Sequence, residues 1–177
     1  MKAGSRNGFT ALELMVTMAV VAILLSAGVP ALKDYTWNQR MKAAMDTLQS
    51  DLKLARGRAI SLNAHTVICP ASSAADCSGR SSWQDGWIVF ADLNSDRHRQ
   101  QGEPLIRQSV ATESIGIHSS ASRSYLRFYP NGSAPGSNAT IVFCDGRGAA
   151  HAGVITVSNT GRIRSSTDGV DSSEICP

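Results

Sequence analysis

The hydropathy pattern divides the chain into three stretches. From Leu14 to Val29, sixteen consecutive residues carry no charge and are mostly apolar. Beyond Pro30 the apolar positions Leu48, Leu52, Ala55, Ala59 and Leu62 recur at spacings of four, three, four and three, one face of an α-helix. Lys42, Asp46, Gln49, Lys53 and Arg56 take the other side. Asp46 with Lys53 and Asp51 with Arg58 lie about two turns apart, which reads as a solvated face rather than as ion pairs. Gly57 costs such a helix roughly 1 kcal/mol without stopping it. A helix from Phe9 to Leu62 would be about 80 Å long, half in a membrane or filament core and half against a globular head.

From His65 the texture becomes short, β-rich runs bounded by turn residues: 66–69, 87–90, 105–110, 125–129, 140–144 and 154–157. Pro130-Asn131-Gly132 and Thr160-Gly161 mark turns. Residues 119–124 and 133–138 read as loops, and 165–177 as a polar tail. The expected fold is α+β, a long N-terminal helix packed on an antiparallel β-sheet or sandwich.

Composition sharpens this picture. The 177 residues suffice for one domain with a core. Lys and Arg number 17 against 14 Asp and Glu, a net charge of +3, which excludes a grossly basic nucleic-acid coat but not a local basic patch. Every Lys lies at or before Lys53, and all later basic residues are Arg. No Gly-rich phosphate loop, nucleophile elbow or helical metal-ligand pair is present, so the sequence predicts no enzyme and no cofactor.

The N-terminus carries the most specific signal. Met1–Gly8 holds Lys2 and Arg6 and no acid, and Glu13 sits inside the apolar run that follows. A charge at bilayer depth costs about 2.5–3.5 kcal/mol, so an acid there needs a partner. A secretory signal peptide cut near Ser26-Ala27-Gly28 would explain the apolar run, but not Gly8 ahead of it or Glu13 within it. Gly8-Phe9-Thr10-Ala11-Leu12-Glu13-Leu14 resembles the class III signal of type IV pilins and type II secretion pseudopilins. The resemblance implies that a prepilin peptidase cuts between Gly8 and Phe9 and methylates Phe9. It implies that Glu13 drives assembly by pairing with the N-terminal amine of a neighbouring subunit, which would compensate the buried carboxylate. Pro30 falls where this family often kinks or melts the helix. The implied organisation is a cleaved leader (1–8), a transmembrane and filament-core helix (9–30), its amphipathic continuation (31–62) and a periplasmic or extracellular head (63–177). The implied location is the inner membrane, single-pass with a periplasmic head, and then a pilus or pseudopilus among other pilins. Loss of Lys2 and Arg6 leaves a net charge of about +1.

Trp83, Gly86–Phe90, the acidic Asp92-Leu93-Asn94-Ser95-Asp96 and Phe128–Gly132 narrow the resemblance to the GspH/FimT/FimU subset of minor pilins and pseudopilins. Export implies oxidised thiols. Four cysteines allow three pairings. In the favoured one, Cys69–Cys77 closes a short Ala/Ser loop, and Cys144–Cys176 then pins the tail for about 2–4 kcal/mol. The spacings lack Cys-x2-Cys and do not suit zinc. The four His, at 65, 98, 118 and 151, are scattered and read as surface residues. Asp92, Asn94, Asp96 and Glu103 match positions 1, 3, 5 and 12 of a calcium loop. Arg97 stands where that loop demands Gly, and the flanks read as strands, so a polar hairpin turn is the expectation.

Gly161-Arg162-Ile163-Arg164 follows the last strand, with Arg147, Arg123 and Arg127 earlier. If extended, Arg162 and Arg164 share one face and Ile163 points into the head. Two guanidinium forks side by side suit phosphate. Gly161 would permit a turn and the close approach of a ligand. Gly-Arg-x-Arg near the C-terminus resembles the motif of FimT-type minor pilins, which bind DNA in natural transformation. The resemblance implies double-stranded DNA as partner, with Gly161, Arg162, Arg164 and Arg147 at the site. Binding of that kind is salt-sensitive and indifferent to sequence. The alternative is a structural subunit without DNA binding: a GspH-like pseudopilin of a type II secretion system, or a FimU-like subunit of a pilus-priming tip.

Overall fold

A computed structural model describes Gly8, residues 10–110, 114–120 and 123–167, and Cys176. Most of the leader, Phe9 and much of the tail lie outside these residues. The chain forms two compact units, Met1–Gln39 and Arg40–Pro177, with helix α1 (Ala11–Leu62) passing through both.

In the first unit α1 begins at a capped end. Thr10 Oγ1 accepts the Glu13 N–H at 3.2 Å, and Thr10-x-x-Glu13 has the spacing of a capping box. Large apolar side chains from Leu12 to Leu32 are exposed. An 18-residue window of α1 has a mean hydropathy of 2.2, enough in length and composition to cross a membrane. Pro30 lies inside α1, which is assigned helical without a break there, so the melting implied for this position is not seen.

In the second unit eight strands form two antiparallel four-stranded sheets. β1 (His65–Pro70), β2 (Gly86–Asp92), β3 (Leu105–Val110) and β5 (Leu126–Phe128) make the first, in the order β3-β2-β1-β5. β4 (Gly116–Ser119), β6 (Ala139–Cys144), β7 (Gly153–Val157) and β8 (Ile163–Ser166) make the second, in the order β4-β6-β7-β8. A short 3-10 helix, Ala149–His151, precedes β7. Two strands escape the sequence pattern. β4 is four residues long and only half apolar, and β8 is an Ile followed by Arg-Ser-Ser. Ser165 and Ser166, expected in the tail, extend β8 instead.

The helix segment from Arg40 onward faces both sheets. Met41, Ala44, Met45, Leu48, Leu52, Ala55 and Ala59 are buried at helical spacing. Leu62, expected to close that stripe, is exposed at the helix end. Toward the first sheet, Asp51 is buried rather than solvated. Its carboxylate accepts Trp87 Nε1–H at 2.9 Å and the Ser109 hydroxyl at 2.6 Å, with Arg107 Nε 3.4 Å away. Toward the second sheet, Met45 and Met41 pack over Gly153, where any β-carbon would collide with the Met45 sulfur.

The far face of each sheet is covered by a disulfide-closed segment. On the first sheet, Val67, Cys69, Ile88 and Phe90 form a cluster joined by Cys77 and Tyr125. Cys69 bonds Cys77 there. On the second, Val142, Cys144, Ala152, Val154 and Cys176 pack together, and Cys144 bonds Cys176.

Candidate nucleic-acid interface

The second sheet sets the geometry of the site. In the β6–β7–β8 ladder Ala139, Val157 and Ile163 are register partners on one face, and Thr140, Thr156 and Arg164 on the other. The inner face carries the buried Ile141, Phe143, Ile155 and Val157. Among the described residues, the Cys176 cluster covers the outer face only at the Cys144 end. At the other end, Thr140, Thr156 and Arg164 remain exposed.

The β7–β8 turn completes that end. Ser158 N–H donates to the Arg162 carbonyl at 3.0 Å, Gly161 N–H to the Ser158 carbonyl at 2.8 Å, and Arg162 N–H to Ser158 Oγ at 3.2 Å. These bonds tie the backbone of Arg162 while leaving its guanidinium outside the turn. A groove of about 820 Å³ results, lined by Arg123, Arg162 and Arg164 and by hydroxyl and amide groups that include Asn138, Thr140, Thr156 and Ser158. No carboxylate and no aromatic ring lines it among the described residues.

Arg123 is held in place, donating to the Gly136 carbonyl at 2.6 Å and to Asn138 Oδ1 at 3.0 Å. The guanidinium groups of Arg162 and Arg164 are exposed and have no carboxylate partner among the described residues. Three undiminished positive charges over a hydroxyl-rich floor can take phosphate oxygens by charge-assisted and neutral hydrogen bonds together. The absence of rings removes the platforms on which unpaired bases stack.

Two expected members of the set belong elsewhere. Arg147 lies beyond the opposite end of β6 and β7, its side chain 14% exposed and its Nη2 2.7 Å from Asp145 Oδ2. Burial works to raise the Asp145 carboxyl, and hydrogen bonds from the Arg147 side chain and backbone outweigh it, holding the pKa below the ordinary value. Arg147 is thus spent on a buried carboxylate. Gly161 does permit a close approach, at φ 76°, but the approach is to the Gly132 carbonyl, which a β-carbon at 161 would overlap. Arg56 Nε donates to that same carbonyl at 2.9 Å. Arg123, which the motif did not include, takes a place on the groove. Only the folded loop brings it there, so no local pattern announces it.

Glu13 lies exposed in the first turn of α1, and Gly8 is exposed. The acidic loop is the connection between β2 and β3, as the turn reading expects. Among the described residues no three His, Cys, Asp or Glu side chains are placed together so as to hold a metal ion.

The family model for the type II transport protein GspH matches residues 44–161, more than half of the chain. Similar solved folds include the type IV minor pilin FimU of Pseudomonas aeruginosa, at 19% identity and TM-score 0.59, covering 81% of this chain and 96% of that one. The minor pseudopilin EpsH of the Vibrio cholerae type 2 secretion system is similar at 12% identity and TM-score 0.54, covering 74% and 99%.

Proposed function

The chain belongs to the GspH family of minor pilins and pseudopilins, and from that premise we propose that it is assembled into a pilus and binds double-stranded DNA for uptake. Its family makes it a structural subunit and not an enzyme. On this reading a prepilin peptidase removes residues 1–8, the apolar part of α1 anchors the subunit in the inner membrane, and Glu13 meets the terminal amine of the next subunit.

One observation carries the DNA reading: Arg162 and Arg164 reach an open groove that is lined by no acid and no ring among the described residues. Residues two apart in a strand stand about 6.6 Å from each other, so the two forks can take separate phosphates. Contact of this kind positions a duplex without reading bases. It gains affinity by counterion release and loses it with salt.

The experiment is fluorescence anisotropy of a labelled duplex with the full chain in detergent micelles. Arg162→Ala/Arg164→Ala is expected to weaken binding at least tenfold and to lower the log–log salt slope by about 2. Arg147→Gln is expected to bind as the parent does. Unchanged binding by the double variant overturns the site. A parent chain that does not bind overturns the DNA role and favours a structural pseudopilin, the reading supported by the family's type II transport description.

A further inference from the structure

The groove carries cations on two sides, and the strand ladder sets the distance between them. Thr140, Thr156 and Arg164 are register partners across β6, β7 and β8. Continued by one residue past Ala139, Val157 and Ile163, the same registers bring Asn138 beside Ser158 and Ser158 beside Arg162. Ser158 N–H donates to the Arg162 carbonyl at 3.0 Å, as that pairing requires. Side chains alternate along a strand, so positions 138, 158 and 162 share the outer face with 140, 156 and 164. Two rows thus cross the sheet, and each ends at the β8 side in an arginine.

A third cation stands at the other end. Arg123, in the connection between β4 and β5, donates to Asn138 Oδ1 at 3.0 Å and to the Gly136 carbonyl at 2.6 Å. Both oxygens are uncharged, and a guanidinium has five N–H donors, so its charge and further donors remain for an anion. From β6 to β8 there are two interstrand gaps of about 4.8 Å each, which puts the Arg123 side of the groove about 10 Å from the β8 side. The floor between them, Asn138, Thr140, Thr156 and Ser158, is polar and uncharged.

Resting on the duplex reading of this groove, we infer that Arg123 contacts the second DNA strand: Arg162 and Arg164 follow one backbone along β8, and Arg123 meets the other backbone across a minor groove. The β8 pair runs along the strand direction, whereas Arg123 is displaced perpendicular to it. One backbone satisfies the pair and leaves Arg123 without a phosphate. In B-form DNA the minor groove is about 6 Å wide and the major groove about 12 Å. Half the thickness of a phosphate on either side brings the minor-groove spacing close to that of the two cation rows, and the major groove overshoots it. The consequence is a preference for a duplex with both backbones charged.

The test is fluorescence anisotropy with the full chain in detergent micelles at 0.15 M salt, where charges more than about 8 Å apart are largely screened. Two duplexes of one sequence are compared, one native and one with every phosphate of a single strand replaced by uncharged methylphosphonate. The parent is expected to bind the half-neutralised duplex more weakly, keeping Arg162 and Arg164 on the charged strand. Arg123→Gln retains an N–H donor for the Gly136 and Asn138 oxygens and lacks only the charge. It is expected to lose at least about threefold on the native duplex and to match the parent on the half-neutralised one. Arg123→Lys is expected to recover most of that loss. Equal loss on both duplexes would put Arg123 on the same strand as the β8 pair and overturn the inference. No loss on either overturns it as well, and so does an Arg123→Lys variant as weak as Arg123→Gln, which would assign the effect to the loop. Binding lost in Arg162→Ala/Arg164→Ala but untouched in Arg123→Gln removes the second-strand contact alone, whereas a parent that binds neither duplex overturns the DNA reading itself.

Discussion

Gly161 shows how one residue serves a site without touching its ligand. Its φ of 76° lies where a side chain costs about 1–2 kcal/mol. A β-carbon would also meet the Gly132 carbonyl, which already accepts from Arg56. Gly161→Ala is therefore expected to destabilise the head by about 2 kcal/mol or more and to shift the turn that presents Arg162. Denaturant unfolding checks the first, and the duplex anisotropy measurement checks the second. A variant as stable as its parent would refute this account of the glycine. The sequence showed that position 161 needed freedom, but not for what. The groove and the Gly132 carbonyl compete as explanations until the fold places the 28 residues of intervening chain. Asp51 teaches the same lesson in reverse. On a helical wheel it sits at the edge of the apolar stripe, between Ala55 and Arg58, and the partners that take up its carboxylate, Trp87 and Ser109, come from two different strands.

At the scale of elements, two loops on the first sheet are strapped together. His98 Nδ1 lies 3.0 Å from Asp76 Oδ2, and Asp76 Oδ1 accepts the N–H groups of Arg99 and Cys77. The Asp76 hydrogen bond and charge raise the His98 pKa above its ordinary value. Burial works to raise the Asp76 carboxyl, but the Arg99 N–H, the His98 ring and the Cys77 N–H together lower it. A raised histidine pKa gives stability that is complete below its unfolded value and lost as pH rises through the folded one. A lowered carboxyl pKa gives stability present above its unfolded value and lost as pH falls through the folded one. The strap is thus firmest between the ordinary carboxyl pKa and the ordinary imidazole pKa, and it fades as pH passes outward through Asp76's depressed value or His98's elevated one. Protease cleavage in residues 72–80 is expected to quicken as pH rises through the His98 titration, followed by NMR of its ring. His98→Gln should remove that pH dependence. A cleavage rate flat across the titration would discount the strap.

Strands of this kind differ in how plainly the chain announces them. β2 is legible because Trp87–Ala91 is a continuous apolar run, as a strand buried on both faces must be. β8 is not, because its outer residues face solvent and its identity rests on pairing with β7. The exposed edge of that pairing is where the candidate site lies.

At the scale of the whole molecule the chain forms two units of different character. The first is an apolar helix with exposed large side chains, which only a membrane or neighbouring helices can cover. The second has its own core and both disulfides. On the proposed reading, processing is what links them to a filament. Gly8 is exposed ahead of the Thr10 cap, and cleavage there would release a chain beginning at residue 9. Mass spectrometry of the protein expressed with a prepilin peptidase is expected to show 9–177 with a methylated terminus. An intact leader, or a chain beginning near residue 27, would overturn the assignment. The helix and most strands were legible because each depends on neighbours in sequence. The groove was half legible, since Arg162 and Arg164 were visible in the motif but Arg123 and the hydroxyl-rich floor come together from three separate stretches of chain.

The lysines of the described chain, Lys33, Lys42 and Lys53, all stand exposed on α1, while every cation of the groove is a guanidinium. Amine-directed dyes and cross-linkers will therefore decorate the helix and spare the groove. A subunit can be tagged or tethered by its amines while the groove's guanidinium groups stay chemically untouched.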